Sequence, residues 1–238
     1  MSKDLEFLSR IVRSASELIG DKFEVRAKDD KGDLVTNLDF EIEKYLIGEI
    51  GREYPGFTVV SEEYNSKNRA TEDCFVIDPI DGTINFANGL PLWGIQVACV
   101  RGGKVCAAVI YLAALGEFYE ADESGAYLNS EKIGVNHYGV DRGLCDIEGP
   151  DKRKYQGLAM KEFRHVRNIN SAAVVFAWVA AGRLSAGAYL GWDKLWDYLP
   201  GRYLVEKAGG VVFDAEGVHL VANCEEWLGA LKELVGVE

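Results

Sequence analysis

Residues 75–91 read FVIDPIDGTINFANGLP, and the reading of this stretch decides the fold. Together with Cys74 its first part, CFVIDPI, is a short apolar and β-branched run of the kind that fills a buried strand. The run closes on two carboxylates, Asp78 and Asp81, with Pro79 stiffening the chain between them. Gly82 and Thr83 follow at once. Glycine permits close backbone approach, and amides at the start of a helical turn form a cradle for phosphate. The Thr83 hydroxyl is placed to orient a water, although a threonine there more often serves as a helix cap. A turn so constrained and so acidic is expected to bind a ligand.

Two more acidic segments lie outward from it: Glu62 and Glu63 after FTVVS, and Asp197 in KLWDYLPG. Carboxylates at strand ends project into the crevice where α/β folds bind ligands, and hard oxygen donors suit Mg²⁺. For any single pair, solvated loop acids are the blander reading; the stiffened turn at 78–83 weighs against it.

The flanking sequence supplies the framework. Leu5, Leu8, Val12, Ala15 and Ile19 recur at helical spacing up to Gly20, and a second helix is expected from Asn37, with Ile42, Leu46 and Ile50 on one face, ending before Pro55. The charged stretch AKDDKGD (27–33) reads as a polar loop between them. From Trp93 to Tyr127 the pattern is an antiparallel meander, with Gly102-Gly103 as a hairpin turn. The texture changes near 138–145, giving an N-terminal lobe over 1–140 and a C-terminal lobe over 141–238. In the second lobe SAAVVFAWVAAG reads as a buried helix, RLSAGAYL as a strand, 195–208 as a helix, VVFD as a strand and 225–234 as a last helix.

Composition narrows the function. A net charge of −12 argues against binding a nucleic-acid backbone, which requires a positive surface. No run approaches the roughly 18 apolar residues of a membrane span, and the N-terminus carries charges throughout. The five cysteines are odd in number, lie in apolar runs and lack zinc-site spacing, so reduced core thiols and a cytoplasmic location are expected. None of the three histidines falls in a motif.

The turn at 78–83 first suggests the haloacid-dehalogenase phosphatases, but there the motif is D-x-D-G-T near the N-terminus, whereas these acids stand three apart and far into the chain. The whole set resembles the inositol monophosphatase superfamily. GDLVTNLD (32–39), SEE (61–63), FVIDPIDGTINFANGLP (75–91) and WDYLPGRYLVEKAGGVVFD (196–214) follow the family's order and spacing across most of the chain. The resemblance implies an α+β, α/β-layered αβαβα sandwich of the sugar-phosphatase type, with an antiparallel-rich N-terminal lobe and a smaller mixed α/β C-terminal lobe.

It also implies roles. Glu62, Asp78 and the carbonyl of Ile80 match ligands of a first metal, which activates the attacking water. Asp78, Asp81 and Asp197 match ligands of a second, at the leaving oxygen, and Glu62 helps hold a third, weaker one. Thr83 and Asp39 match the pair that orients the water, so Asp39, Glu62 and Thr83 are the expected catalytic groups. Lys28 and the loop through Asp33 match a mobile lid. Gly82, Thr83, Arg164, Arg167 and Asp193 are the candidate substrate contacts. Two carboxylates about 4 Å apart repel by roughly 4 kcal/mol at an effective dielectric near 20, which four such acids relieve by spreading, taking up protons or binding cations. The resemblance favours two or three Mg²⁺ ions, with Mn²⁺ as a substitute.

The chain departs from the family in the pocket. The acid that inositol-selective members carry seven positions before the second-metal aspartate is replaced by Leu190. WDYLPG stands for the usual small-residue form, with Pro200 expected in a first helical turn, and Asn170 stands where many members have glycine. The expected activity is hydrolysis of inositol 1-phosphate, fructose 1,6-bisphosphate or both. A 3′-phosphoadenosine 5′-phosphate phosphatase, an NADP(H) phosphatase and, from another class, a non-catalytic metal or phosphate sensor are the alternatives. The expected partners are a small phosphate ester and a second copy of the chain, with no nucleic-acid polymer and no membrane.

Overall fold

The computed structural model describes residues 1–20, 22–28, 33–149, 152–191 and 194–237. In chain order the first half comprises α1 (Lys3–Ser16), β1 (Val25–Ala27), β2 (Leu34–Thr36), α2 (Asn37–Glu53), β3 (Thr58–Ser61), β4 (Cys74–Asp81), α3 (Thr83–Ala87), β5 (Gly94–Arg101), β6 (Lys104–Leu112), β7 (Glu117–Asp122), β8 (Gly125–Leu128) and β9 (Glu131–Lys132). The second half comprises β10 (Cys145–Glu148), α4 (Lys152–Glu162), β11 (Val166–Arg167), α5 (Ala172–Ala180), β12 (Ala186–Leu190), α6 (Leu195–Lys207), β13 (Val211–Ala215), β14 (Val218–Ala222) and α7 (Glu225–Val235).

Two sheets carry the fold. The larger has the order β3-β4-β5-β6-β7-β8-β9 and is antiparallel except for the parallel β3–β4 pair. The smaller has the order β11-β10-β12-β14-β13, parallel through β11, β10 and β12 and antiparallel beyond. Strand alternation sends side chains to opposite faces, so each sheet requires a cover on both.

The buried clusters identify those covers. Leu5, Leu8, Ile11, Ile42, Leu46 and Ile50 of α1 and α2 pack with Phe75, Ile77, Val97 and Val109 on one face of the large sheet. Val76, Ala98, Ala108 and Ile110 on its other face meet α5, α6 and Val221 of the small sheet. The outer face of the small sheet, with Ile147, Ala188 and Leu220, packs on Ala159, Trp227 and Leu231 of α4 and α7. The sequence is therefore a layered αβαβα sandwich, as the resemblance implies.

Several elements differ from the sequence reading. The polar segment between the first two helices contains the antiparallel ribbon β1–β2; its strands have three residues each and β1 is exposed throughout, so they leave no hydrophobic alternation. α6 starts at Leu195, which makes Pro200 its sixth residue and places it inside the helix, not in a first turn. Proline there gives no N–H to the preceding turn. Of the five free cysteines, Cys74, Cys99 and Cys145 are buried as expected, whereas Cys106 and Cys224 are only half-buried. Among the described residues, no helix is long and apolar enough to cross a membrane.

Candidate metal centre

β4 ends in the acids of the decisive stretch. Residues three apart on a regular strand face opposite sides, because side chains alternate with a period of two. Here the pairing with β5 shifts register between Asp78 and Asp81. Pro79 lies in that irregularity and has no N–H to give the ladder. The break lets both carboxylates join Asp197, the third residue of α6, in one group whose ligand oxygens all lie within 4.8 Å of one another.

Each acid is held by its own partners. Asp81 Oδ2 accepts the Ser171 hydroxyl and the Ala173 amide, at 2.8 Å for the latter, so it sits at the N-terminus of α5, which Ser171 caps. Asp197 Oδ2 accepts the Tyr189 hydroxyl at 2.5 Å. Asp78 Oδ1 accepts the Ile80 amide at 3.1 Å, within its own turn. Asp39 stands in the first turn of α2, where its Oδ2 accepts the Thr36 amide at 2.8 Å and hydroxyl at 2.5 Å in a reciprocal capping box. The Thr83 hydroxyl lies 3.3 Å from Asp39 Oδ1 and 2.9 Å from the Ile80 carbonyl.

Burial makes these charges expensive. Asp78 and Asp197 are raised well above the usual carboxylate range, by burial first and then by Glu62 and the neighbouring aspartates. Asp81 is pushed up to about 6 by burial, against the lowering effect of Ser171 and the α5 amides. Asp39 likewise rises to about 6 through burial, with the Thr36 bonds opposing it.

Glu62, just past β3, points to a different partner: Lys28 Nζ donates to Glu62 Oε1 and Glu63 Oε1, both at 2.6 Å. Burial lowers the Lys28 pKa, but the two glutamates outweigh it and the ammonium is held above its ordinary range. The Lys28 amide also donates to the Asp33 carbonyl at 2.8 Å, closing the base of the expected lid; residues 29–32 lie outside the described residues.

Gly82 lies close against the chain itself. It has φ +86°, and a Cβ there would lie 2.8 Å from the Leu92 carbonyl oxygen and 3.0 Å from Ser171 Cβ. Asn170 has φ +59°, so the position where many relatives have glycine keeps a left-handed backbone that asparagine tolerates. Leu190 packs in the outer cluster with Ala188 and Trp227, so a side chain at this position turns away from the layer that holds Tyr189.

The expected basic contacts stand elsewhere. Arg164 and Arg167 are exposed, and Arg167 donates to the Val166 carbonyl and lines a cavity of about 480 Å³ with Leu92 and Trp178. Among the described residues no hydrogen bond or ion pair joins either guanidinium to the acids. They flank and form a two-residue edge strand, whose outer edge is unpaired in the sheet. Asp193 lies outside the described residues.

Sequence reasoning missed three supporting residues. Glu43, fully buried, accepts the Ser61 hydroxyl at 2.5 Å and the Glu63 and Tyr64 amides at 2.8 and 2.7 Å, shaping the turn that presents Glu62. The available signal was an acid four residues after Asp39, beside the apolar stripe. Ser171 opens the run SAAVVFAWVAAG, where a serine is a cap signal, but nothing local marks it as an Asp81 partner. Tyr189 left no signal, since its bond to Asp197 exists only across the fold.

The donor set fits a hard dication. It is carboxylate oxygen, buried, convergent and destabilised by its own charge, which a divalent cation relieves. Fold and site together define a metal-dependent phosphatase, a phosphoric monoester hydrolase. The model of the Inositol monophosphatase family matches residues 2–234, and the chain belongs to that family.

Relatives agree across nearly the whole length. The fructose-1,6-bisphosphatase/inositol-1-monophosphatase of Thermotoga maritima is 33% identical over 228 residues, covering 90% of this chain and 85% of the relative. The Nus factor SuhB of Escherichia coli (strain K12) is 32% identical over 231 residues, covering 90% and 86%. The solved structure of a Thermotoga maritima IMPase superposes with a TM-score of 0.89 at 29% identity, covering 99% of this chain and 97% of that one.

Proposed function

We propose that this chain hydrolyses a phosphate monoester of a polyol or sugar, inositol 1-phosphate and/or fructose 1,6-bisphosphate, with two or three Mg²⁺ ions as cofactor and Mn²⁺ as a substitute. The observation that carries the reading is the buried convergence of Asp78, Asp81 and Asp197. Those three side chains, Glu62 and the Ile80 carbonyl would hold the cations. When bound, the cations supply positive charge for the phosphate oxygens, acidify a water and stabilise the leaving oxygen.

The remaining steps belong to the chain's own groups. The Thr83 hydroxyl has one proton and two acceptors within reach, Asp39 Oδ1 and the Ile80 carbonyl. Donating to Asp39 leaves its lone pairs to accept from a water aimed at phosphorus. Asp39, with a pKa pushed up to about 6, is a stronger base than an ordinary aspartate and takes up the proton passed along this bond. Its second oxygen is fixed by Thr36, so its orientation is set before substrate arrives. No serine or cysteine is required as a covalent nucleophile.

The sugar-phosphate class is supported by the name of the Thermotoga maritima relative, a fructose-1,6-bisphosphatase/inositol-1-monophosphatase that covers most of this chain. A reduced cytoplasmic setting is supported by the free cysteines, and a homodimer is carried over from the family resemblance. The test is phosphate release from inositol 1-phosphate, fructose 1,6-bisphosphate, 3′-phosphoadenosine 5′-phosphate and NADP(H). Release is expected from the first two, dependent on Mg²⁺ and abolished by chelator. Turnover in excess chelator overturns the mechanism, and a higher kcat/KM on either nucleotide overturns the substrate class.

A further inference from the structure

Gln96 is the third residue of β5, directly opposite Asp78 in the β4–β5 pairing, and is completely buried. Residues opposite one another in a sheet share a face, so its side chain lies on the same side as that of Asp78, the layer occupied by α5 and α6. There Gln96 Nε2 donates to the peptide carbonyl of Asp197 at 3.3 Å. A carbonyl can only accept, which fixes the amide's orientation and sends Oε1 the other way. Among the described residues Gln96 Oε1 is buried and has no hydrogen-bond partner.

A buried amide oxygen with no donor is costly, and native structures keep such groups where another molecule completes them. Its neighbours explain what is missing. The Asp197 carbonyl offers only lone pairs, so the group that holds the amide cannot also donate to Oε1. A hydrated dication reverses this, because the waters it polarises are strong donors.

We propose that Gln96 is a positioning residue for the metal centre: its N–H holds the first turn of α6 against the β4–β5 pair, and its Oε1 accepts from water brought by the cation. This rests on the reading of the acids as a cation site. Gln96 thereby links Asp78 and Asp197, which come from opposite halves of the chain, and sets the gap between them. A leucine or methionine in its place would fill the volume but offer the hydrated ion nothing.

The test is calorimetric titration of Mn²⁺ into the full chain without substrate, alongside the melting temperature of the metal-free protein. Gln96→Met is expected to weaken Mn²⁺ binding about tenfold or more, the scale of lost outer-sphere partners, while lowering the metal-free melting temperature by no more than a few degrees, the scale of one lost hydrogen bond. Gln96→Glu, which when protonated keeps both an O–H for the Asp197 carbonyl and an oxygen acceptor on the same stem, is expected to bind Mn²⁺ about as tightly as the wild type. Wild-type affinity in Gln96→Met, or a tenfold loss in Gln96→Glu, overturns the proposal while leaving the cation site standing. The second arm decides if Gln96→Met does not fold. A wild-type protein that takes up no Mn²⁺ overturns the cation-site reading itself, and this inference with it.

Discussion

At the scale of single residues, the acids differ in what their removal exposes. Asp197→Asn and Asp81→Asn are expected to lower turnover by at least about 100-fold while the proteins stay folded, since an amide keeps an oxygen for Tyr189 or Ser171 but gives up a ligand charge. Glu63→Gln is expected to change turnover little, because its carboxylate is occupied by Lys28 and its amide by Glu43. Equal losses in all three variants would contradict the ligand assignment. Asp197→Asn carries a second, opposite effect: without metal it removes a buried acid whose ionisation is opposed by burial, Glu62 and Asp81. The metal-free variant is therefore expected to melt above the metal-free wild type in a thermal scan, even as its activity falls. Glu43→Ala acts the other way, leaving two amides and a hydroxyl without their acceptor at the turn that presents Glu62.

At the scale of elements, the site depends on how closely α5 and α6 approach, because α5 holds Asp81 through Ser171 and α6 carries Asp197. Gly201 makes that approach possible: a Cβ there would lie 2.3 Å from a ring carbon of Phe176 and 2.5 Å from its Cβ. Gly201→Ala is expected to cost about 2 kcal/mol in chemical denaturation, within the usual range for overpacking, and to reduce turnover by moving Asp197 relative to Asp81. Full stability and activity in this variant would show that the two helices can separate without disturbing the acids. The two helices that precede the acidic turn were legible from apolar periodicity, as was the meander around Gly102 and Gly103. The ribbon β1–β2 was not, because three-residue exposed strands bury nothing that patterns a sequence. The start of α6 near residue 195 was legible too, and counting from it puts Pro200 sixth, inside the helix, so the first-turn placement of that proline was a misreading.

For the whole molecule, the buried acids tie stability to pH and to metal. Asp39 holds its proton to about pH 6 when folded but only to about 3.8 when unfolded. Between those values the folded state binds more protons, so the metal-free protein loses stability as pH rises from about 4 through about 6 and does not regain it above. A shift of this size is worth about 3 kcal/mol for Asp39, and Asp78, Asp81 and Asp197 act in the same direction. Saturating Mg²⁺ is expected to offset the loss, adding about 2.7 kcal/mol per site at a hundredfold excess over Kd. Denaturant titrations at pH 4 and pH 7, with chelator or with Mg²⁺, measure both effects. A metal-free protein more stable at pH 7 than at pH 4, with no gain from Mg²⁺, would contradict them.

The amino-acid sequence by itself determined the family and named the acids of the turn, because strand and helix periodicities and the D-x-x-D-G-T turn are local properties of consecutive residues; the layer order came only through the family resemblance. Tertiary structure alone decided that residues three apart on β4 share one side, through a register break at Pro79 that no alternation predicts. It alone decided that Glu62 is gripped by Lys28, that Arg164 and Arg167 stand apart from the acids, and that Gln96 and Tyr189 reach Asp197. Those are contacts between segments up to a hundred residues apart, set by which faces the two sheets turn toward α5 and α6. A periodicity records that a side chain is buried; only the packed layers determine what it is buried against.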